Sequence, residues 1–133
     1  MRAGLDTSVV LRLLIGEPKL QAERAWQSIV ETRSTGGDVY VSDLVVSEAY
    51  FALQYHYRVP KKEALRQLGA LFESKGVVSA GCAAEVLATP GLQAAKPGFV
   101  DRMIHAGYVR ELDTMLTFER AARKLARTRV LKV

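Results

Sequence analysis

Residues 3–14, Ala3-Gly4-Leu5-Asp6-Thr7-Ser8-Val9-Val10-Leu11-Arg12-Leu13-Leu14, contain the pattern that decides the fold of this 133-residue chain. A short apolar run ends at Asp6, and apolar residues then return at helical spacing, which predicts a buried strand followed at once by a helix. Side chains at the carboxyl ends of parallel strands converge on one edge of a sheet. Asp6 therefore lies where acids from distant segments can meet, although Asp is also a favoured helix N-cap.

The rest of the chain alternates between helical and strand patterns. Helices are predicted at about 19–33, 43–57, 60–72, 83–87 and 99–110, and a last one through Ala122 and Leu125. Strands are predicted at 39–41, 76–79 and 113–116, with a fifth edge strand at 130–133. Right-handed crossovers place helices on both faces of such a sheet, so the pattern predicts an α/β fold, a three-layer α/β/α sandwich with a short parallel sheet. Without repeats or linkers, residues 1–133 are expected to form one domain.

Composition restricts the possible partners and compartments. Lys and Arg number 19 against 14 Asp and Glu, which gives a net charge of +5 and favours an anionic partner such as nucleic acid, or simply a soluble basic surface. Cys82 is the only cysteine, so an internal disulfide is excluded and a reducing compartment is expected. Asp6 and Arg12 interrupt the first apolar run, and no stretch approaches the roughly 18 apolar residues of a membrane span. We therefore expect a soluble, cytoplasmic protein.

Three further acids stand out along the chain, and one of them, Glu119, repeats the placement of Asp6 at the exit of a strand. Glu48 is the lone charge in a helix that is apolar nearly all round, which predicts a buried carboxylate that is either paired with an arginine or functional. Asp101 lies in the first turn of a helix, where the helix dipole alone favours an acid. Glu119 follows the fourth predicted strand.

In a parallel sheet these four acids come from segments that reach the same edge. Clustered carboxylates repel one another unless they are protonated or neutralised, and their hard oxygen atoms suit Mg²⁺ or Mn²⁺. If Asp6, Glu48, Asp101 and Glu119 converge at this edge, they form a donor set suited to a divalent metal ion.

The same residues carry a resemblance to a known family. The stretch 4–14, closed by Gly16-Glu17-Pro18, is similar to the first motif of PIN-domain proteins, especially the VapC-type toxins of toxin–antitoxin modules. Val41-Ser42 with Ser47-Glu48 resembles their second motif. Gly98-Phe99-Val100-Asp101 and Leu116-Thr117-Phe118-Glu119 resemble the third and fourth. The motifs occur in the family's order over nearly the whole chain.

The resemblance implies a parallel sheet of strand order 3-2-1-4-5, a homodimer, and a cognate antitoxin protein that blocks the site. It makes Asp6, Glu48 and Asp101 metal-binding acids of a ribonuclease, with Glu119 at the fourth acidic position. That position is usually Asp in the family, so the longer side chain of Glu119 is a departure. Small hydroxyl positions near the family's site are matched by Thr7, Ser8 and Thr117.

The expected chemistry is metal-assisted hydrolysis of RNA, in which Mg²⁺ or Mn²⁺ activates a bound water and offsets charge on the leaving oxygen. Arg12, Arg102 and His105 lie nearest in sequence to the proposed ligands and are expected to position the RNA backbone. For His105, a metal-ligand role and a surface imidazole without function are the alternatives.

Two other functions are open to a sequence of this kind. A phosphoacceptor domain of the receiver type also uses acids at strand ends, but the third predicted strand, 76–79, ends without the required Asp. A non-catalytic PIN-like module that binds RNA or protein is the second alternative. A nucleotide-binding fold is disfavoured, because neither a phosphate-cradling glycine loop nor a GxGxxG fingerprint is present.

Overall fold

The computed structural model describes residues 1–133, in which strands and helices alternate along the chain. The elements are β1 (Ala3–Gly4), α1 (Thr7–Ile15), α2 (Lys19–Ser34), β2 (Val39–Val41), α3 (Asp43–Tyr55), α4 (Lys61–Glu73), β3 (Val77–Ser79), α5 (Ala83–Leu87), α6 (Phe99–Glu111), β4 (Met115–Thr117) and β5 (Thr128–Val130). Short 3₁₀ helices span Leu92–Ala94 and Arg120–Lys124. None of the helices combines the length and apolar character needed to cross a membrane.

The five strands form two parallel groups. In the first group β2 lies between β1 and β3, with Ala3 opposite Val39 and Val39 opposite Val77. In the second, β4 pairs with β5, and Met115 lies opposite Thr128. Helices flank the three-stranded sheet, which confirms the predicted α/β fold.

The expected continuous order 3-2-1-4-5 is interrupted between β1 and β4. The neighbours 3-2-1 and 4-5 are present, but β4 and β5 form a separate ribbon that is not hydrogen-bonded to β1. The backbone explains the difference, because β1 has only two residues and the N–H groups of Ala3 and Leu5 both donate to the β2 side, at Asp38 and Tyr40. Little edge is left for a second partner strand.

The core fills the space between the three-stranded sheet and its helices. α3 and α4 pack against each other and against α1, and their buried leucines Leu53 and Leu68 are fully enclosed. Phe99, at the start of α6, meets the ring of Tyr50 edge-on with centroids 5.1 Å apart. This packing fixes the helices that begin at the carboxyl ends of β1 and β2.

The prediction that α3 is buried on all sides is wrong for one face. Leu44 is 73% exposed, Phe51 44% and Tyr55 80%. Glu48 shares this face at helical spacing and is exposed, so its predicted burial is also wrong. The reason is that neighbouring helices cover α3 only on the side that carries Val46, Ala49 and Leu53.

The C-terminal elements also differ from their predicted form. The segment after Glu119, predicted as a helix through Leu125, is a five-residue 3₁₀ helix. The fifth strand lies at Thr128–Val130 rather than at 130–133. Its pairing with β4 fixes its bounds, and sequence periodicity does not contain that information for three-residue strands.

Candidate active site

Asp6 lies between β1 and α1 with an exposed carboxylate. Its Oδ1 accepts a 2.8 Å hydrogen bond from the N–H of Thr7, and its Oδ2 lies 3.5 Å from the hydroxyl of Ser8. Its backbone is extended, as expected of an N-cap residue. Asp6 is therefore a helix cap and at the same time presents a carboxylate to solvent.

Glu48 is brought to the same place by the packing of α3 against α1. The hydroxyl of Thr7 donates a 2.9 Å hydrogen bond to Oε1 of Glu48. Thr7 thus joins the two acids, since its N–H holds Asp6 while its side chain holds Glu48. We call Asp6 and Glu48 the first acid pair.

Asp101 and Glu119 form a second acid pair. Both line a cavity of about 260 Å³ between α6 and β4, and Thr117 lines it too. The hydroxyl of Thr117 accepts a 2.9 Å hydrogen bond from the N–H of Glu119. Oε1 of Glu119 accepts from the N–H of Ala121 at 3.1 Å and so caps the 3₁₀ helix.

The four acids thus lie in two pairs. Nowhere in residues 1–133 do three or more His, Cys, Asp or Glu side chains come together as a group that could hold a metal ion. All four acids are exposed, and none is in an ion pair. The predicted alternative of an arginine partner for Glu48 is therefore wrong. Unpaired carboxylates with hydroxyl neighbours are a donor set whose chemistry suits a hard divalent cation.

A groove of about 390 Å³ between α1 and α2 begins beside the first acid pair. Arg12, Arg24 and Ser8 line it, together with uncharged residues, and no carboxylate lines it. Nε of Arg12 donates a 2.6 Å hydrogen bond to Oε1 of Gln21, which orients the guanidinium along the groove wall. Arg24, which was not among the predicted RNA-binding residues, adds a second guanidinium, and its Nη1 donates to Oε1 of Glu31 at 3.3 Å outside the lining.

Two of the expected RNA-binding side chains are used by the fold. Nε of Arg102 donates to the carbonyl oxygen of Pro97 at 2.8 Å, near the start of α6. Nε2 of His105 lies 2.7 Å from the carbonyl oxygen of Ala126 and donates to it, because a carbonyl oxygen only accepts. The imidazole therefore connects α6 to the segment before β5.

Asp43, the first residue of α3, is a structural acid near the site. Both its carboxylate oxygens accept from the N–H of Cys82 at 2.9 Å, and Oδ1 also accepts from Ala83 at 2.9 Å. A Cβ atom at Gly81 would lie 2.6 Å from this carboxylate. Asp43 thus ties α3 to the start of α5, and Ser42 provides the cap of α3, accepting from the N–H of Val45 at 3.2 Å.

An α/β protein that carries two pairs of exposed acids near the ends of its parallel strands has the architecture of a carboxylate-based nuclease domain. The family model described as "PIN domain" matches residues 4–128, and the chain belongs to this family. PIN domains are generally nuclease modules that bind divalent metal ions, and membership indicates nucleic-acid binding. No curated protein gives a significant match.

Proposed function

We propose that this protein is a metal-dependent endoribonuclease that hydrolyses RNA phosphodiester bonds. The observation that carries the proposal is a set of two acid pairs in a PIN domain. The acids are exposed and have no lysine or arginine partner; Thr7 joins the first pair, and the second pair lines one cavity.

We further propose that residues 1–133 act as one domain, in the cytoplasm, as the toxin of a type II toxin–antitoxin pair. The free thiol of Cys82 is compatible with a reducing compartment.

Asp6, Glu48, Asp101 and Glu119 are the residues that would hold Mg²⁺ or Mn²⁺. Such an ion, when bound, lowers the pKa of a coordinated water and stabilises charge on the leaving oxygen. The chain's own contribution is orientation, because Thr7 fixes both carboxylates of the first pair. The hydroxyl of Ser8 lies 3.5 Å from Oδ2 of Asp6, and the hydroxyl of Thr117 accepts from the N–H of Glu119.

The groove between α1 and α2 supplies a path for the RNA backbone. Arg12 presents a guanidinium group there that has no acidic partner, and Arg24 presents a second one that is also ion-paired with Glu31 at 3.3 Å. The groove begins at Ser8, next to Asp6. Guanidinium groups match the geometry of phosphate oxygens. Arg102 has a hydrogen bond only at Nε, so we propose that its terminal nitrogens also contact a phosphate. His105 is left out of this role because the fold engages its ring.

Cleavage of a mixed structured RNA by the purified protein tests the proposal. We expect cutting with Mg²⁺ or Mn²⁺, none with a chelator, and none with Asp6→Asn, which keeps the shape of the cap and removes its charge. Glu73→Gln is the matched control, because Glu73 is exposed at the end of α4 and has no ion pair. If wild type and Asp6→Asn cut equally, the first acid pair is not part of the active site.

We propose a homodimer on the basis of an apolar groove of about 430 Å³ between α3 and α6. Leu44, Ile104 and Tyr108 line it and are 73%, 48% and 47% exposed. Light scattering after gel filtration is expected to give a dimer for wild type and a monomer for Ile104→Glu. Leu20→Glu is the control, since Leu20 is 79% exposed on α2 and does not line the groove. A dimer that persists in Ile104→Glu contradicts this interface.

A cognate antitoxin that blocks the site is the remaining partner in the proposal. The test is co-expression with the product of a small reading frame directly upstream, followed by co-purification and a cleavage assay. We expect a stable complex that cuts RNA more slowly than the free protein. A complex that cuts at the free rate contradicts a blocking partner.

A non-catalytic PIN-like module that binds RNA or protein is the second candidate function. The absence of any group of three potential ligands in residues 1–133 is the observation that favours it. This candidate predicts RNA binding that is the same with a chelator and with Mn²⁺, and no cleavage under either condition. The salt dependence of binding then reports only the number of phosphates contacted.

A further inference from the structure

We call the segment 113–133, which contains β4, β5 and Glu119, the ribbon. Very few hydrogen bonds connect it to the rest of the molecule. Its strands β4 and β5 pair only with each other. Side chains provide all of its hydrogen bonds to residues 1–112, and these belong to His105 and Arg127. No ion pair crosses this boundary.

Arg127 reaches from the ribbon to the end of α6. Its Nη1 donates to the carbonyl oxygen of Leu112 at 3.2 Å, and its Nη2 donates to that of Val109. Carbonyl groups at a helix C-terminus lack partners within the helix and carry its negative partial charge, so a guanidinium is well suited to this place.

The backbone of Arg127 holds β4 at the same time. Its carbonyl oxygen accepts from the N–H of Met115 at 2.9 Å and from the hydroxyl of Thr114 at 3.1 Å. The φ of Arg127 is +49°, a left-handed conformation that an arginine rarely adopts without such support. One residue therefore binds α6 with its side chain and the start of β4 with its backbone.

His105 supplies a second connection one turn beyond Asp101 on α6. Its ring donates to the carbonyl oxygen of Ala126, the residue just before Arg127. The cavity that contains the second acid pair has Asp101 on its α6 wall, and Thr117 and Glu119 on its ribbon wall. The two walls are joined by the hydrogen bonds of His105 and Arg127.

We infer that His105 and Arg127 form a latch that holds Glu119 in place across the cavity from Asp101, and that both are positioning residues for cleavage. The effect on cleavage rests on the proposed function, whereas the holding of the ribbon does not. Neither side chain forms a hydrogen bond or an ion pair with Asp101 or Glu119. They act by fixing the ribbon on which Glu119 is carried.

Hydrogen exchange of the metal-free protein tests the latch without reference to activity. In Arg127→Ala we expect the N–H groups of Met115 and Leu131, which bond within the ribbon, to exchange roughly ten-fold faster. Arg127→Lys should give an intermediate rate, because an ammonium supplies the charge but not the two-pronged geometry. Arg129→Ala is the matched control, since Arg129 is exposed on β5 and its side chain has no hydrogen bond.

Steady-state cleavage in Mn²⁺ by the same variants then tests positioning. We expect Arg127→Ala to lower kcat roughly ten-fold with KM unchanged, because the groove beside Ser8 is untouched, and Arg129→Ala to match wild type. His105→Ala keeps the contacts of Arg127 and should show a smaller change of the same kind. If Arg127→Ala does not fold, His105→Ala and Arg127→Lys carry the comparison.

The outcomes separate the two proposals. Wild-type exchange rates in both Arg127→Ala and His105→Ala overturn the latch. Faster ribbon exchange with unchanged kcat overturns the positioning role alone. A wild-type protein that does not cut RNA refutes the proposed function, and the exchange data still decide whether the latch exists.

Discussion

The hydroxyl of Thr7 donates a 2.9 Å hydrogen bond to Oε1 of Glu48, a residue 41 positions further along the chain. The N–H of the same threonine donates to Asp6. One residue at the start of α1 thereby holds two acids, one that precedes α1 and one that lies in α3. A serine can replace the hydroxyl, whereas a valine of similar shape cannot.

Thr7→Val is expected to lower RNA cleavage roughly ten-fold, since losing a partner that orients a site carboxylate commonly has that effect. The change in stability should be under about 1 kcal/mol, because Glu48 is exposed and regains water. Cleavage rates and thermal melting of Thr7→Val and Thr7→Ser provide the measurement. Equal rates in the two variants would contradict an orienting role for the hydroxyl.

Glu119 caps the 3₁₀ helix and, in the proposed function, also contributes a carboxylate to the metal site; different substitutions separate the two roles. Glu119→Gln keeps an oxygen that can accept from Ala121, so stability should be unchanged while cleavage falls. Glu119→Ala removes cap and charge together and should also cost up to about 1 kcal/mol of unfolding free energy. Urea unfolding and cleavage assays on both variants distinguish the cap from the charge. Full activity in Glu119→Gln would remove this residue from the site.

Asp43 is expected to be a stabilising residue rather than a catalytic one. Asp43→Ala leaves the N–H groups of Cys82 and Ala83 without their acceptor, which should cost about 1–3 kcal/mol. Gly81→Ala should destabilise the protein as well, because its Cβ would lie 2.6 Å from the carboxylate. Urea unfolding measures both effects. A stable Asp43→Ala variant that is inactive would instead place Asp43 in the active site.

Cys82 is expected to make the protein less stable as the pH becomes alkaline. The pKa of the Cys82 thiol is raised above its ordinary value of 9.0, mainly because the thiol is buried in the core. The unfolded chain therefore loses this proton first, so the contribution is complete below about pH 9 and is lost as the pH rises through the folded-state pKa. Melting temperatures from about pH 7 to about pH 10 should fall more steeply for wild type than for Cys82→Ala. Parallel curves would contradict the assignment to Cys82.

Much of this fold could be predicted from local patterns. The apolar spacing that predicts helices at 19–33 and 99–110 corresponds to α2 and α6, and the run Val39-Tyr40-Val41 is β2. Because each of these segments buries one face, the spacing of its apolar residues predicts its secondary structure. The strand-to-helix switch at Asp6 was likewise visible, because a short apolar run directly precedes a helical pattern.

Contacts between distant segments were not predictable from local patterns. The composition of α3 indicates burial on all sides, yet a helix covered on one side by its neighbours leaves Leu44 and Tyr55 in solvent. The link of His105 to Ala126 and the tie of Asp43 to Cys82 each join residues more than 20 positions apart. Nothing in the spacing of a single sequence specifies which backbone group a polar side chain will meet.

The exposed face of α3 places Glu48 between Leu44 and Phe51, at a spacing of one helical turn on either side. The binding of another protein to this surface and the access of solvent to Glu48 are consequently not independent of each other. Any protein that shields those two apolar side chains from water also narrows the route by which solvent and solutes reach the Glu48 carboxylate between them. A substitution that weakens association at this face would therefore also increase the exposure of Glu48, even though Glu48 itself had not been altered.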